Sequence, residues 1–115
     1  MTRMVTIGAA QTGPIQRSDT RAEVVERLIA LLRQGAAAGC DLVVFPELTL
    51  TTFFPRWFVE DRAEFDHFFE TEMPGPETQP LFDEAVRLQV GFHLGYAELT
   101  PDGHHYNTAI LVEPT

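Results

Sequence analysis

Two short apolar runs with an amphipathic stretch between them set the first pattern in this chain. Residues Met4 to Ala10 are almost continuously apolar. A run of that length reads as a strand buried on both faces, as in parallel sheets. Beyond Gly13-Pro14, the spacing of Thr20-Arg21-Ala22-Glu23 matches a capping box, in which the hydroxyl and the carboxylate satisfy backbone donors at a helix start. Val24, Val25, Leu28, Ile29, Leu31 and Leu32 then recur at three- and four-residue spacing, which marks a helix with one buried face, and Gly39 stops it. Asp41 opens a second buried run, Leu42-Val43-Val44-Phe45, closed by Pro46, which has no donor for a ladder. A strand-helix-strand unit of this kind makes its two strands parallel, so the fold class is α/β.

The pattern changes after Thr51. No clear strand is legible as far as Pro76, yet six of the nine phenylalanines fall here, beside Trp57, which marks a packed segment. A short helix is expected from Asp61 to about Glu70, broken by Met73-Pro74-Gly75-Pro76. Another should run from near Glu77 to Leu88, with Leu81, Phe82, Ala85, Val86 and Leu88 on its inner face. Val90 to Leu99 reads as a third strand, Thr100-Pro101-Asp102-Gly103 as a turn, and His105 to Val112 as a strand returning beside the third. The consecutive apolar residues Ile110, Leu111 and Val112 predict that this last strand lies inside its sheet, covered on both faces.

Composition narrows the functional classes. At 115 residues the chain forms one domain or part of one, so residues 1–115 are taken as a single unit. Its basic residues number 8, all arginine, against 17 acidic ones, and the formal charge of -9 has the wrong sign for a nucleic-acid or anionic-membrane partner. The lone Cys40 cannot form an internal disulfide or a structural zinc site and reads as a small core residue; the reducing cytoplasm is expected. The apolar run after Met1 is too short for a signal-peptide core, and nowhere do about 18 apolar residues follow one another.

Reactive groups in open parallel sheets gather beyond the carboxyl ends of the strands. Glu47 stands there, directly after Val43-Val44-Phe45-Pro46. Taken alone it is either a solvated loop carboxylate or an acid/base group, and acid/base work needs a partner within reach. Phe53 and Phe54 are candidates to line a substrate pocket, with plain core packing as the other reading. Glu64-Phe65-Asp66-His67 has the Glu-x-x-His spacing of di-iron bundles but lacks the further carboxylates on long helices that such sites use. His104 and His105 are adjacent, so in an extended strand their side chains point to opposite faces and do not readily clasp one metal. No metal site, cofactor site or nucleotide loop is expected.

The segment from Phe45-Pro46-Glu47 through Thr51-Thr52-Phe53-Phe54-Pro55-Arg56-Trp57 resembles the start of the carbon-nitrogen hydrolases, the nitrilase superfamily. With Glu70-Thr71-Glu72-Met73-Pro74-Gly75-Pro76, Gly91 to Leu99 and Asn107-Thr108, it looks more narrowly like the N-carbamoyl-D-amino acid amidohydrolases, although His93 stands where Asn would be expected. The resemblance implies the N-terminal half of a nitrilase-like α-β-β-α sandwich, a fold whose members usually dimerise. It also implies a triad of glutamate, lysine and cysteine, of which Glu47 is the glutamate. The chain contains no lysine, and Cys40 precedes the second strand, so neither partner is supplied here.

The implied reaction is hydrolysis of a small molecule without a cofactor. A thiolate attacks the carbamoyl carbon, Glu47 moves the proton to the departing amino group, and the lysine steadies the oxyanion. Glu47 then activates water, which releases ammonia and carbon dioxide beside the D-amino acid. The chain by itself is expected to be inactive. An open apolar sheet face should favour association, either as a homo-oligomer or through that face. The alternatives are a non-catalytic remnant or interaction module with the half-fold, and a part of an aliphatic amidase or nitrilase.

Overall fold

A computed structural model describes residues 2–114 as one four-stranded sheet with its two longer helices on one face. Met1 and Thr115, the ends of the stretch read above, lie outside the described residues. The elements are β1 (Ile7–Ala9), α1 (Arg21–Ala37), β2 (Leu42–Val44), α2 (Arg62–Asp66), α3 (Gln79–Leu88), β3 (Gly91–Leu99) and β4 (His105–Val112), with a single 3-10 turn at Phe54–Arg56. Sheet order is β1-β2-β3-β4; the first two pairs are parallel and β3–β4 is antiparallel. The α/β expectation holds, and sheet and helices form two layers.

Helix α1 begins on the expected capping box. Thr20 Oγ1 accepts from the Glu23 N–H at 3.1 Å, and the Glu23 carboxylate accepts from the Thr20 N–H at 3.2 Å. Its inner face buries Val24, Val25, Leu28 and Leu32, and Gly39 turns the chain away with a left-handed φ of 85°. Register decides which side of the sheet receives these residues. Val43 pairs with Phe92 and Phe92 with Val112, so the three share a face, and on that face Phe92 meets Phe82 of α3 edge-on at 5.2 Å. The main core of Leu28, Leu32, Val43, Phe45, Leu81, Phe92 and Leu94 lies between sheet and helices. Each such side chain contributes about 1.5–3 kcal/mol when removed from water.

Three expectations are corrected. The first strand is not a run from Met4 to Ala10 buried on both faces: β1 has three residues at a sheet edge, with Met4 and Val5 ahead of it exposed and Ile7 58% exposed. The last strand is not interior either. Strand β4 is the opposite edge, and Leu111 is 66% exposed. The physical reason is shared: Ile7, Leu42 and Gly91, and likewise Ala9, Val44, His93 and Leu111, fall on the sheet face away from the helices. The third correction concerns α3, where Val86 points outward and Glu84 is buried in the position of an inner-face residue, accepting from Arg33 of α1.

The far face is covered at one end only. Residues 46–70 fold across the carboxyl end of β2, where Phe54 stacks on Phe68 with centroids 4.8 Å apart and meets Phe65 and Phe69 at 5.8 and 5.3 Å. With Leu48 and Ala97 these rings make a second, smaller core. Helix α2 is five residues long and not the ten expected, because the chain leaves it to bring Glu70 against β3, where the Glu70 N–H donates to the Ala97 carbonyl at 2.8 Å.

Candidate active site

Strand β3 outruns β2, and the turn carrying Glu47 fills the gap. The Phe45 N–H donates to the His93 carbonyl and the Thr49 N–H to the Gly95 carbonyl, each at 3.0 Å. Pro46, Glu47 and Leu48 arch between these anchors. Leu48 sits at φ 47°, a left-handed conformation that costs a residue with a β-carbon about 1–2 kcal/mol and persists only where surrounding contacts fix it. Those contacts are its burial in the aromatic core and the close approach of the turn to Gly95. Pro46 leaves the turn no donor for a ladder, as the sequence indicated.

The Glu47 side chain is exposed, but it is held. Asn107 of β4 donates from Nδ2 to Glu47 Oε2 at 2.9 Å, a bond spanning 60 residues of sequence. Ala97 pairs with Asn107, and Gly95 with Ala109, so the bond lies on the face away from the helices, the face on which the turn rests. Two cavities flank it. The first, of about 170 Å³, is lined by Glu47, Thr49, Thr51, Phe53, Arg56 and the Thr12–Ile15 segment. The second, of about 200 Å³, is walled by Leu48, Phe54, Phe69, Ala97, His105 and Asn107.

The two phenylalanine candidates separate. Phe53 is 45% exposed and borders the first cavity with Glu47, whereas Phe54 is 5% exposed and belongs chiefly to the aromatic core, touching the second cavity from inside. Cys40 packs against the main core on the far side of β2 from Glu47 in sequence, beside Gly8. Of the Glu-x-x-His segment, Glu64 pairs with Arg17, and Asp66 lies 2.7 Å from His105 Nε2. His104 faces Asp102 at 3.0 Å, so the two adjacent histidines point to different partners, and His105 begins β4. Among the described residues no group of three or more histidine, cysteine or carboxylate side chains is arranged to hold a metal ion. No helix there is long and apolar enough to cross a membrane.

Asn107 gains a role that residue type alone did not suggest. Its contact has no local sequence signal, since it depends on β3–β4 register. Asn107 became visible only as a two-residue likeness in the last strand.

Comparison with known proteins identifies the family and the fold. Residues 6–115 match the carbon-nitrogen hydrolase family. A formamidase from Bacillus thuringiensis (strain Al Hakam) is 31% identical over 111 residues, covering 88% of this chain and 30% of the formamidase. A carbon-nitrogen hydrolase structure from Helicobacter pylori G27 superposes with a TM-score of 0.71 at 21% identity, over 96% of this chain and 36% of that one. An N-terminal amidase bound to a Gln-Gly peptide gives the same TM-score at 19% identity, over 96% and 25%. The chain thus spans between a quarter and just over a third of the length of these relatives. A family match over nearly all its residues, on a fold shared with solved members, shows that this chain belongs to the carbon-nitrogen hydrolases.

Proposed function

We propose that this chain supplies the glutamate of a carbon-nitrogen hydrolase that cleaves the carbamoyl C–N bond of N-carbamoyl-D-amino acids. The observation that carries the reading is the placement of Glu47, an acid on a rigid strand-end turn, fixed by Asn107 and bordering a cavity. A proton-transfer group works only when held within about 3 Å of the reacting atoms, and a turn anchored at both ends with its carboxylate tethered meets that demand. Glu47 takes the proton of an attacking thiol, returns it to the leaving amine, and then activates the water that frees the carbamoyl group. The lysine and the thiol come from outside these residues. The substrate is a small molecule, and the bare end of the sheet face, with Ile7 and Leu111 exposed, associates with further protein.

Hydrolysis of a simple amide is the second reading, favoured by the formamidase relatives. One experiment addresses both. The chain is mixed with a polypeptide that completes a carbon-nitrogen hydrolase domain, lysine and cysteine included, and ammonia is measured with N-carbamoyl-D-alanine and with formamide. Release from the carbamoyl substrate only in the mixture, abolished by Glu47→Gln, is the expected result. Faster release from formamide favours the simple amidase. Full activity with Glu47→Gln, or activity of the chain alone, would falsify the role given to Glu47.

A further inference from the structure

We propose that His105 is a positioning residue for Glu47: with Asp66 it clasps the aromatic segment onto β4 and so fixes where the acid stands. The inference rests on the reading of Glu47 as the proton-transfer group. Residues 46–70 cross one end of the far face, and among the described residues two side-chain hydrogen bonds join them to β4. Asn107 donates to Glu47 at 2.9 Å, and His105 Nε2 donates to the Asp66 carboxylate at 2.7 Å. His105 and Asn107 are two positions apart on one strand, so their side chains leave the same face, about 7 Å apart along it. Both also wall the second cavity.

The two bonds share more than a strand. The His105 ring stands edge-on to Phe69 at 4.6 Å and meets Phe65 at 5.4 Å. Those two rings touch each other at 5.0 Å, and each meets Phe54, which lies in one core with Leu48. Leu48 directly follows Glu47 and keeps its left-handed φ because that core surrounds it. A continuous chain of contacts therefore runs from the Asp66–His105 pair to the backbone of the acid.

Packing alone holds α2 weakly. The helix has five residues, none of them buried, and is too short to be stable by itself. Its Glu64 pairs with Arg17, but both side chains are half-exposed, and a surface pair of that kind contributes little. Asp66, its last residue, and His105 are 31% and 22% exposed, so their bond is better shielded from water and correspondingly stronger. Without it the end of α2 leaves β4, the rings shift, Leu48 loses its backing, and the Glu47 carboxylate drifts from Asn107. A displacement of about 1 Å is enough to cost a proton-transfer group most of its effect.

The side-chain amide of Asn107 reports the position of Glu47 directly, and Glu47→Ala supplies its released resonances. Asp66→Ala removes the acceptor, whereas His105→Phe keeps a ring against Phe65 and Phe69 but removes the nitrogen. Each should move the Asn107 amide resonances toward the released position, and the double variant should move them no further, because one and the same bond is lost in all three. His105→Gln, whose amide can donate to Asp66, should bring them back toward the parent. Ile29→Val thins the main core on α1 and should leave them in place. Because Asp66 and His105 are both partly exposed, their variants keep the parent circular dichroism spectrum. Unmoved resonances in Asp66→Ala and His105→Phe, an additive shift in the double variant, or an equal shift in Ile29→Val overturns the proposal. The measurement uses the chain without substrate, so the catalytic reading of Glu47 stands or falls separately, on ammonia release in the mixed sample.

Discussion

Gly95 lies directly against the backbone of Glu47. A β-carbon at Gly95 would stand 3.1 Å from Glu47 Cα, 3.2 Å from the Pro46 carbonyl oxygen and 3.3 Å from the Leu48 nitrogen. All three neighbours are backbone atoms of a turn tied down at both ends, so no flexible side chain can yield. Gly95→Ala is expected to lift the turn by a few tenths of an ångström and to lower stability by about 1–3 kcal/mol, the usual cost of an added methyl in a tight site. The denaturation midpoint measures the loss, and the side-chain amide resonances of Asn107 measure the displacement of Glu47. An unmoved Asn107 amide would show that the turn does not rest on Gly95.

Phe53 and Phe54 are adjacent, and their substitution should separate cavity wall from core. Phe54 is 5% exposed and contacts three other rings, so Phe54→Ala is expected to cost about 3–5 kcal/mol. Phe53 is 45% exposed, and Phe53→Ala should cost well under about 1 kcal/mol. Similar losses of stability for the two variants would place both rings in the core.

What the sequence made legible follows the range of the interactions. The capping box at Thr20 and Glu23, the break at Pro46 and the turn at Gly103 are set by neighbouring residues, and each appears where the pattern placed it. Strand identity was also local; strand environment was not. Apolar runs at Met4 to Ala10 and Ile110 to Val112 have the pattern of doubly buried strands, yet they form the two edges, since an apolar residue awaiting a cover and one already covered look alike in sequence. Glu47 was found because a strand end and a proline fixed it. The Asn107 bond to Glu47 and the pairing of Asp66 with His105 join residues 60 and 39 positions apart, and only sheet register brings them together.

Helix α1 approaches β2 so closely that Gly35 has opposite effects in two backgrounds. A β-carbon there would lie 2.5 Å from Val43 Cγ2, and Val43 is 2% exposed and stiff about χ1. Gly35→Ala gains about 1 kcal/mol of helix propensity but meets a clash worth about 1–3 kcal/mol, so it should destabilise the parent. In a Val43→Ala background the space is open, and the same change should stabilise. A thermodynamic cycle of the four proteins reads the coupling. Destabilisation by the same amount in both backgrounds would mean that the Val43 methyl is not what Gly35 makes room for.

Glu84 ties α3 to α1 and makes their packing pH-dependent. Its side chain is 8% exposed and accepts from Arg87 on its own helix and from Arg33 Nε at 2.8 Å across the helix pair. The Arg87 hydrogen bond lowers its pKa from the ordinary 4.5 most strongly; burial pushes the other way, and Arg33 adds to the lowering. A carboxylate depressed in the folded state stabilises the fold above its unfolded pKa, and that contribution disappears as pH falls through the folded value. Glu84→Gln should therefore be less stable than the parent at neutral pH. The gap should close below the ordinary carboxylate value of 4.5, as the parent protonates and the variant does not. Arg33 and Arg87 are 59% and 65% exposed, so water takes over their solvation in the variant and the helices stay paired. Urea midpoints of the two proteins across that range test the claim, and a gap that is constant with pH would assign Glu84 to packing alone.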